Sequence, residues 1–382
     1  MMKNGLLTNH LGKSAPFLLL ALFLVSCSGD IADKFDALRE IEGYKNAILM
    51  IGDGMGINHI EATKAYNQQQ TIFLQEEALV SGWMKTRSAN SDVTDSAAAG
   101  TAMATGEKTN NGMLGRTLFK RMTNMSEFAK AYDKGVGILA TETLTGATPA
   151  SFSAHNISRE NTDEIAREQF GNDIDVYMGA GKNYYDEQRV PMAQNHLSYY
   201  TDFDLLRDDI SRSVDDGELR FSRSLSAFET ISVADSSTTS SPTLADMAVE
   251  TIRFLSHKYQ EQGFFLMIEG SHIDKRAHAH DLLGTIQQLN GFNQAVEAVV
   301  EWAKSDGETF VLTTADHETG GLVYDGETKS ELNDEMFTVD GHTGVDVPFY
   351  CYSPIDREIL DDGEVIDNTD LAQIYRAMIR SR

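Results

Sequence analysis

Short apolar runs that break off into glycine, serine and acidic residues recur along this chain. The first is "NAILMI", Asn46–Ile51, which leads into the Gly-rich turn "GDGMG" and then a helical stretch from about Ile57. "GVGILATET" (135–143), "DVYMGAG" (175–181), "GFFLMIEG" (263–270), "TFVLTTADHE" (309–318) and "VPFYCYSP" (347–354) repeat this pattern of strand and turn. Helical periodicity lies between them. Leu244, Met247, Ala248, Ile252, Leu255 and Tyr259 share one face, and Ile286, Leu289, Phe292, Val296 and Val299 share another. Strands alternating with helices predict an α/β fold: a three-layer sandwich with a mainly parallel central sheet covered by helices on both faces. No linker interrupts it, so residues 27–382 are expected to form one domain, with a more polar, irregular insertion or lid at about 183–241. In such sheets ligands bind outside the carboxyl ends of the strands. Asp53, Glu269, Asp316 and His317 all fall there.

The first residues follow another pattern. Lys3 and Lys13 precede "APFLLLALFLVSCSGD", whose apolar run of about ten residues ends at Cys27. That run is too short to span a bilayer and matches the core of a secretory signal. "LVSC", Leu24–Cys27, is similar to the lipobox of bacterial lipoproteins. This resemblance implies removal of residues 1–26, lipidation of Cys27, and an exported chain that is periplasmic or anchored at the outer membrane. Ser28 favours the outer membrane by likeness to Gram-negative sorting. The other reading is an ordinary signal peptide with an incidental cysteine. With Cys27 lipidated, Cys351 has no intrachain partner, and the fold rests on its core or on metals.

Composition narrows the function classes. A chain with 41% hydrophobic residues, 24% charged residues and 6 prolines is neither disordered nor low in complexity. Its net charge of −26 becomes −28 without the two lysines of residues 1–26. That surface argues against nucleic acid as the natural partner. Any anion site on it needs strong local positive charge.

Several constellations could supply that charge. Asp274 and His278, four residues apart, share a face if "IDKRAH" is helical, and carboxylate with imidazole suits zinc. A His-rich surface loop is the alternative. Asp316–His317 is either a ligand pair at a strand end or a capped turn, and His342 stands between glycines in "DGHTG". Thr148 precedes Pro149, and Arg159 follows eleven residues later as a residue suited to forked phosphate contacts. In "SDVTDSAAAGTAMATG" (91–106), Asp95 and Ser96 head a run of small residues. The stretch is either a capped, closely packed helix or a nucleophile at a helix start, where free N–H groups favour an anion.

The order of these motifs is what discriminates. A Gly-flanked Asp, then D-S with small residues, T-P with a downstream Arg, E-G-x-x-I-D-x-x-x-x-H, A-D-H and G-H-T-G together resemble the alkaline phosphatase family, over about Asn46 to Pro354. The resemblance implies a metal-dependent hydrolase of phosphate monoesters working through a phosphoserine on Ser96. It implies two zinc ions, one held by Asp274, His278 and His342, the other by Asp53, Asp316 and His317 with Ser96. It implies one magnesium on Asp53, Thr148 and Glu269, substrate contacts from Arg159 and Lys275, and Asp95 orienting Arg159. A homodimer is also in keeping with it, although the short span from His317 to His342 leaves little for an interface. Gly146 and Thr319 depart from the family pattern at positions that surround the metals.

Two other readings follow from the same residues. A phosphodiesterase of the same superfamily usually uses threonine and lacks an equivalent of Arg159. A non-catalytic metal- or phosphate-binding surface lipoprotein predicts a missing nucleophile or missing ligands, and Ser96 and every ligand are present.

Overall fold

The computed structural model describes residues 43–229, 231, 241–326, 328–355 and 360–380. The expected signal segment 1–26 and the lipidation position Cys27 lie outside the described residues. Among the described residues no helix is long and apolar enough to cross a membrane.

The described residues form twelve strands: β1 Asn46–Gly52, β2 Val80–Lys85, β3 Gly135–Thr143, β4 Val176–Ala180, β5 Ser198–Tyr200, β6 Ser224–Phe228, β7 Phe264–Gly270, β8 Thr309–Thr314, β9 Glu318–Thr319, β10 His342–Thr343, β11 Val347–Cys351 and β12 Val365–Asp367. Ten of them form one sheet in the order β12-β2-β11-β8-β1-β7-β3-β4-β6-β5. Every pairing is parallel except those of β11 with β2 and β8. Each residue of β1, β7 and β8 is buried. Side chains of a strand alternate between its faces, so complete burial means that both faces are covered. This is the expected three-layer arrangement.

The covering helices follow from the sequence periodicity. Leu244–Lys258 begins with a capping box: Thr243 Oγ1 accepts the Asp246 N–H, and Asp246 accepts the Thr243 N–H at 2.8 Å. It buries Met247, Ala248, Ile252 and Leu255. The helix Leu282–Asp306 buries Ile286, Leu289, Phe292, Val296 and Val299. Both apolar faces are those the spacing predicts.

The helix Ser96–Thr105 answers to both readings of its sequence. Asp95 Oδ1 accepts the Ala98 N–H at 3.0 Å, which caps the first turn. All ten of its residues are buried, because small side chains let it lie close to the helix Ala147–Ser151. At Gly100 the contact is closest: a Cβ there would come within 2.9 Å of Ser151 Oγ.

One expectation fails. The described part of 183–241 is not irregular: the helices Lys182–Asp186, Arg189–Gln194 and Phe203–Asp216 lie in or at the edge of this stretch, as do β5 and β6. β6 pairs with β4, and β5 pairs with β6, so the stretch extends the sheet to its edge. The polar composition hid this. Ser224 and Ser226 are buried strand residues, and Phe203, Leu206 and Ile210 are the apolar side of an otherwise acidic helix.

Candidate active site

β1 lies between β7 and β8, all three parallel, so their carboxyl ends open on the same side of the sheet. Asp53 follows β1, Glu269 is the penultimate residue of β7, and Asp316–His317 follow β8 by one residue. The turn after Asp53 depends on Gly54, whose φ of +73° lies in the left-handed region that favours glycine. It aims the Gly54 N–H at Asp316 Oδ1, 3.1 Å away, and the His317 N–H binds the same oxygen at 3.0 Å. Asp316 Oδ2 is left without a hydrogen-bond partner among the described residues.

His342 arrives from farther along the chain through the two-stranded sheet β9–β10, which pairs His342 with Thr319 and Thr343 with Glu318. Its ring stacks on that of His317, with centroids 3.5 Å apart. The helix His272–His278 brings Asp274 and His278 to the same place. Asp274 Oδ1 lies 3.2 Å from His278 Nε2 and 3.5 Å from His342 Nε2. The other ring nitrogens face carbonyl oxygens, His278 Nδ1 to Asp340 at 2.7 Å and His342 Nδ1 to Thr94 at 2.9 Å. A carbonyl only accepts, so each Nδ1 carries a hydrogen, and it is the neutral form of each ring that would turn an Nε2 lone pair inward, the usual support of a metal-binding imidazole.

Ser96 Oγ is 3.2 Å from His317 Nε2, which is also 3.1 Å from Asp316 Oδ2 and 3.6 Å from Asp53 Oδ1. Asp95 Oδ2 accepts from Arg159 Nη1 at 3.2 Å and from the Gly112 N–H at 3.0 Å. Lys275 is tied to Glu142 Oε2.

Three groups of ligand atoms gather within 4.8 Å of one another: Asp274 with His317 and His342, Asp53 with Asp316 and His317, and Asp53 with Glu142 and Glu269. The first two contain expected zinc ligands, with His317 between them and His278 beside the first. Thr148 Oγ1 sits buried next to Glu269. The eight expected ligands are thus linked in one cluster, which meets Ser96 at His317. Thr319 and Glu142 join them. Thr319 Oγ1 donates to Asp274 Oδ1 at 2.6 Å and lies 3.2 Å from His317 Nδ1. Glu142 stands at the end of β3, where the strand-end rule that singles out Asp53 and Glu269 applies equally.

Charges of one sign crowd this space. Burial pushes the Glu269 carboxyl up to about 8, and the Glu142 charge adds to it. Asp53 is driven well above the carboxylate range by burial, then by Asp316, Asp274, Glu269 and Glu142. The hydrogen bond to Asp274 raises His278 to about 9. Asp53 Oδ1, both oxygens of Glu269, Thr148 Oγ1 and Asp316 Oδ2 are buried without hydrogen-bond partners among the described residues. Unpaired buried oxygens are costly, and cations are what would satisfy these. The donor types fit: nitrogen and oxygen around His317, oxygen alone around Glu269.

The family model for alkaline phosphatase matches residues 44–217 and 227–335. The chain belongs to the alkaline phosphatase family. Alkaline phosphatase 4 of Bacillus subtilis is 36% identical over 299 residues, 73% of this chain and 62% of that relative, so the chain spans somewhat less than two thirds of that relative. The alkaline phosphatase of Escherichia coli strain K12 is 28% identical over 424 residues, 91% of this chain and 89% of the relative. Among solved structures, the alkaline phosphatase of the Antarctic bacterium TAB5 superposes with a TM-score of 0.74 at 28% identity, over 89% of this chain and 99% of that one. A variant of the TAB5 alkaline phosphatase, 27% identical, holds magnesium in its M3 site; it superposes with a TM-score of 0.73 over 89% of this chain and 99% of that one.

Proposed function

We propose that this alkaline phosphatase relative hydrolyses phosphate monoesters through a phosphoserine at Ser96. The observation that carries the reading is the position of the Ser96 hydroxyl, 3.2 Å from His317 Nε2, at a helix start beside Arg159 and the metal-ligand groups. Asp274, His278 and His342 would hold one zinc, and Asp53, Asp316 and His317 the second. Asp53, Thr148 and Glu269 would hold magnesium, in keeping with the TAB5 variant. Bound cations would supply Lewis acidity, activating hydroxyl and water and neutralising charge on the phosphoryl oxygens.

The chain's own groups do the rest. Arg159, steadied by Asp95, clamps phosphoryl oxygens with a planar, permanently charged fork. The helix start behind Ser96 directs free N–H groups at the same anion. Ser96 Oγ gives up its proton to solvent as it attacks phosphorus, the P–O bond to the substrate's alcohol breaks, and the departing oxygen takes a proton from solvent and leaves as the alcohol. Water then cleaves the phosphoserine and releases inorganic phosphate. No His–Asp base pair is devoted to the serine, because His317 Nε2 is turned to the ligand group, so activation falls to the metals.

Purified protein supplied with Zn2+ and Mg2+ is expected to hydrolyse p-nitrophenyl phosphate at alkaline pH and to leave bis-p-nitrophenyl phosphate nearly untouched. Turnover that survives Ser96→Ala, or that ignores chelation, would sink the proposal, and a preference for the diester would favour a phosphodiesterase. For anchoring, we propose lipid at Cys27. Labelled palmitate should enter the wild type but not Cys27→Ser.

A further inference from the structure

Gly146 stands two residues before Thr148, and an ideal Cβ built on it would fall 2.5 Å from Glu142 Oε1 and 2.8 Å from its Cδ. Its φ of −55° is open to any residue, so space rather than backbone conformation excludes a side chain here. What fills that space is the Glu142 carboxylate, with the Thr143 carbonyl oxygen at its edge, 2.9 Å from the same point. The carboxylate lies with those of Asp53 and Glu269 in a group whose oxygens are all within 4.8 Å of one another. Within the group Glu269 is fully buried with both oxygens unpartnered, and Thr148 Oγ1 is buried and unpartnered beside it. Glu142 Oε2 accepts from Lys275, whose charge faces Glu269 and Asp53 as well.

We infer that Glu142 is the third carboxylate of the hard-cation site, delivered from the end of β3 into room that Gly146 leaves open. The inference rests on the three-metal reading above and adds a residue that reading does not contain. Charge supports it. Asp53 is shared with the second zinc group, so Asp53 and Glu269 do not offset a divalent cation together with the Lys275 ammonium, and the Glu142 carboxylate supplies the missing negative charge. Magnesium asks for about six oxygens and keeps several waters, so a site of two carboxylates and one hydroxyl has positions to spare for a third acid. Position 146 is thereby explained as well. A residue larger than glycine would push Glu142 out of the group.

The test is magnesium binding to the zinc-loaded chain, followed by titration calorimetry, with metals counted by emission spectroscopy. Wild type is expected to take up one Mg2+ beyond two Zn2+. Glu142→Gln, which keeps the shape and removes the charge, should weaken Mg2+ about 10- to 100-fold while both zincs stay. Gly146→Ala, which keeps the carboxylate and takes its room, should weaken it similarly. Coincident thermal melts of the metal-free variants and wild type would show that the fold is intact. Wild-type Mg2+ affinity in either variant overturns the inference about Glu142. A wild-type chain that takes up no third ion overturns the three-metal reading instead, a distinct result.

Discussion

Asp95 is bonded at once to the helix that carries Ser96 and to Arg159: Oδ1 accepts the Ala98 N–H at 3.0 Å, and Oδ2 accepts Arg159 Nη1 at 3.2 Å. One carboxylate thus sets the distance between nucleophile and clamp. Arg159→Ala is expected to raise the inhibition constant of inorganic phosphate at least about tenfold, the loss of a charged hydrogen bond, with a smaller fall in kcat. Asp95→Ala should shift the same constant in the same direction, because it frees the guanidinium. An unchanged phosphate inhibition constant in Arg159→Ala would remove the clamp.

Gly100 is where the serine helix meets the helix that carries Thr148. Its Cβ position lies 2.9 Å from Ser151 Oγ and 3.5 Å from Thr148 Cα. Gly100→Val therefore overpacks a fully buried contact and is expected to cost about 1–3 kcal/mol of stability. Activity should fall beyond what the unfolded fraction explains, since Ser96 moves relative to Thr148. Urea denaturation and kcat measured on the same preparation check both.

Thr319 holds Asp274 and His317 together through one hydroxyl. Thr319→Val keeps the shape and deletes the bridge. Zinc affinity, read by competition with a chromogenic chelator, is expected to fall about 10- to 100-fold. Equal retention of zinc would show the bridge to be incidental.

Away from the site, Glu168 accepts the His155 N–H at 2.9 Å and faces His155 Nδ1 at 2.8 Å. Burial pushes its carboxyl up, but the bonds from His155 outweigh this and hold it below the usual range. A depressed carboxyl adds stability above its unfolded pKa of about 4.3. That contribution is lost as pH falls through the folded value. Glu168→Gln should thus be less stable than wild type at pH 7 by about 1–3 kcal/mol, the worth of a hydrogen bond to a charged group. The gap should close as the pH is lowered past the carboxylate range. Denaturation midpoints followed with pH would show it, and a gap that stays constant would contradict the assignment.

Much of the sheet was legible because buried parallel strands carry unbroken apolar runs, as in β1, β7 and β8. β6 was not, since its alternation of serine with Leu225 and Ala227 does not look like a core strand. β9 and β10 have two residues each, too few for any period. At the site, ligands that end strands announce themselves through a conspicuous change from apolar to acidic. Glu142 was obscured by its neighbours, threonines at 141 and 143 that blur where β3 stops. Thr319 offered no chemistry of its own in sequence. Its role exists only because β9 lays it between Asp274 and His317.

The pairing of β9 with β10 has one more consequence. Residues 318–319 and 342–343 are clasped together, so His317 and His342 are fixed at the neck of the intervening chain. Phe337 is buried near that neck, while most of the described residues between 325 and 335 face solvent. Lengthening or shortening that outer segment changes the chain beyond the clasp without moving His317 or His342. Changes of length can therefore accumulate in that outer segment while the positions of His317 and His342 stay put.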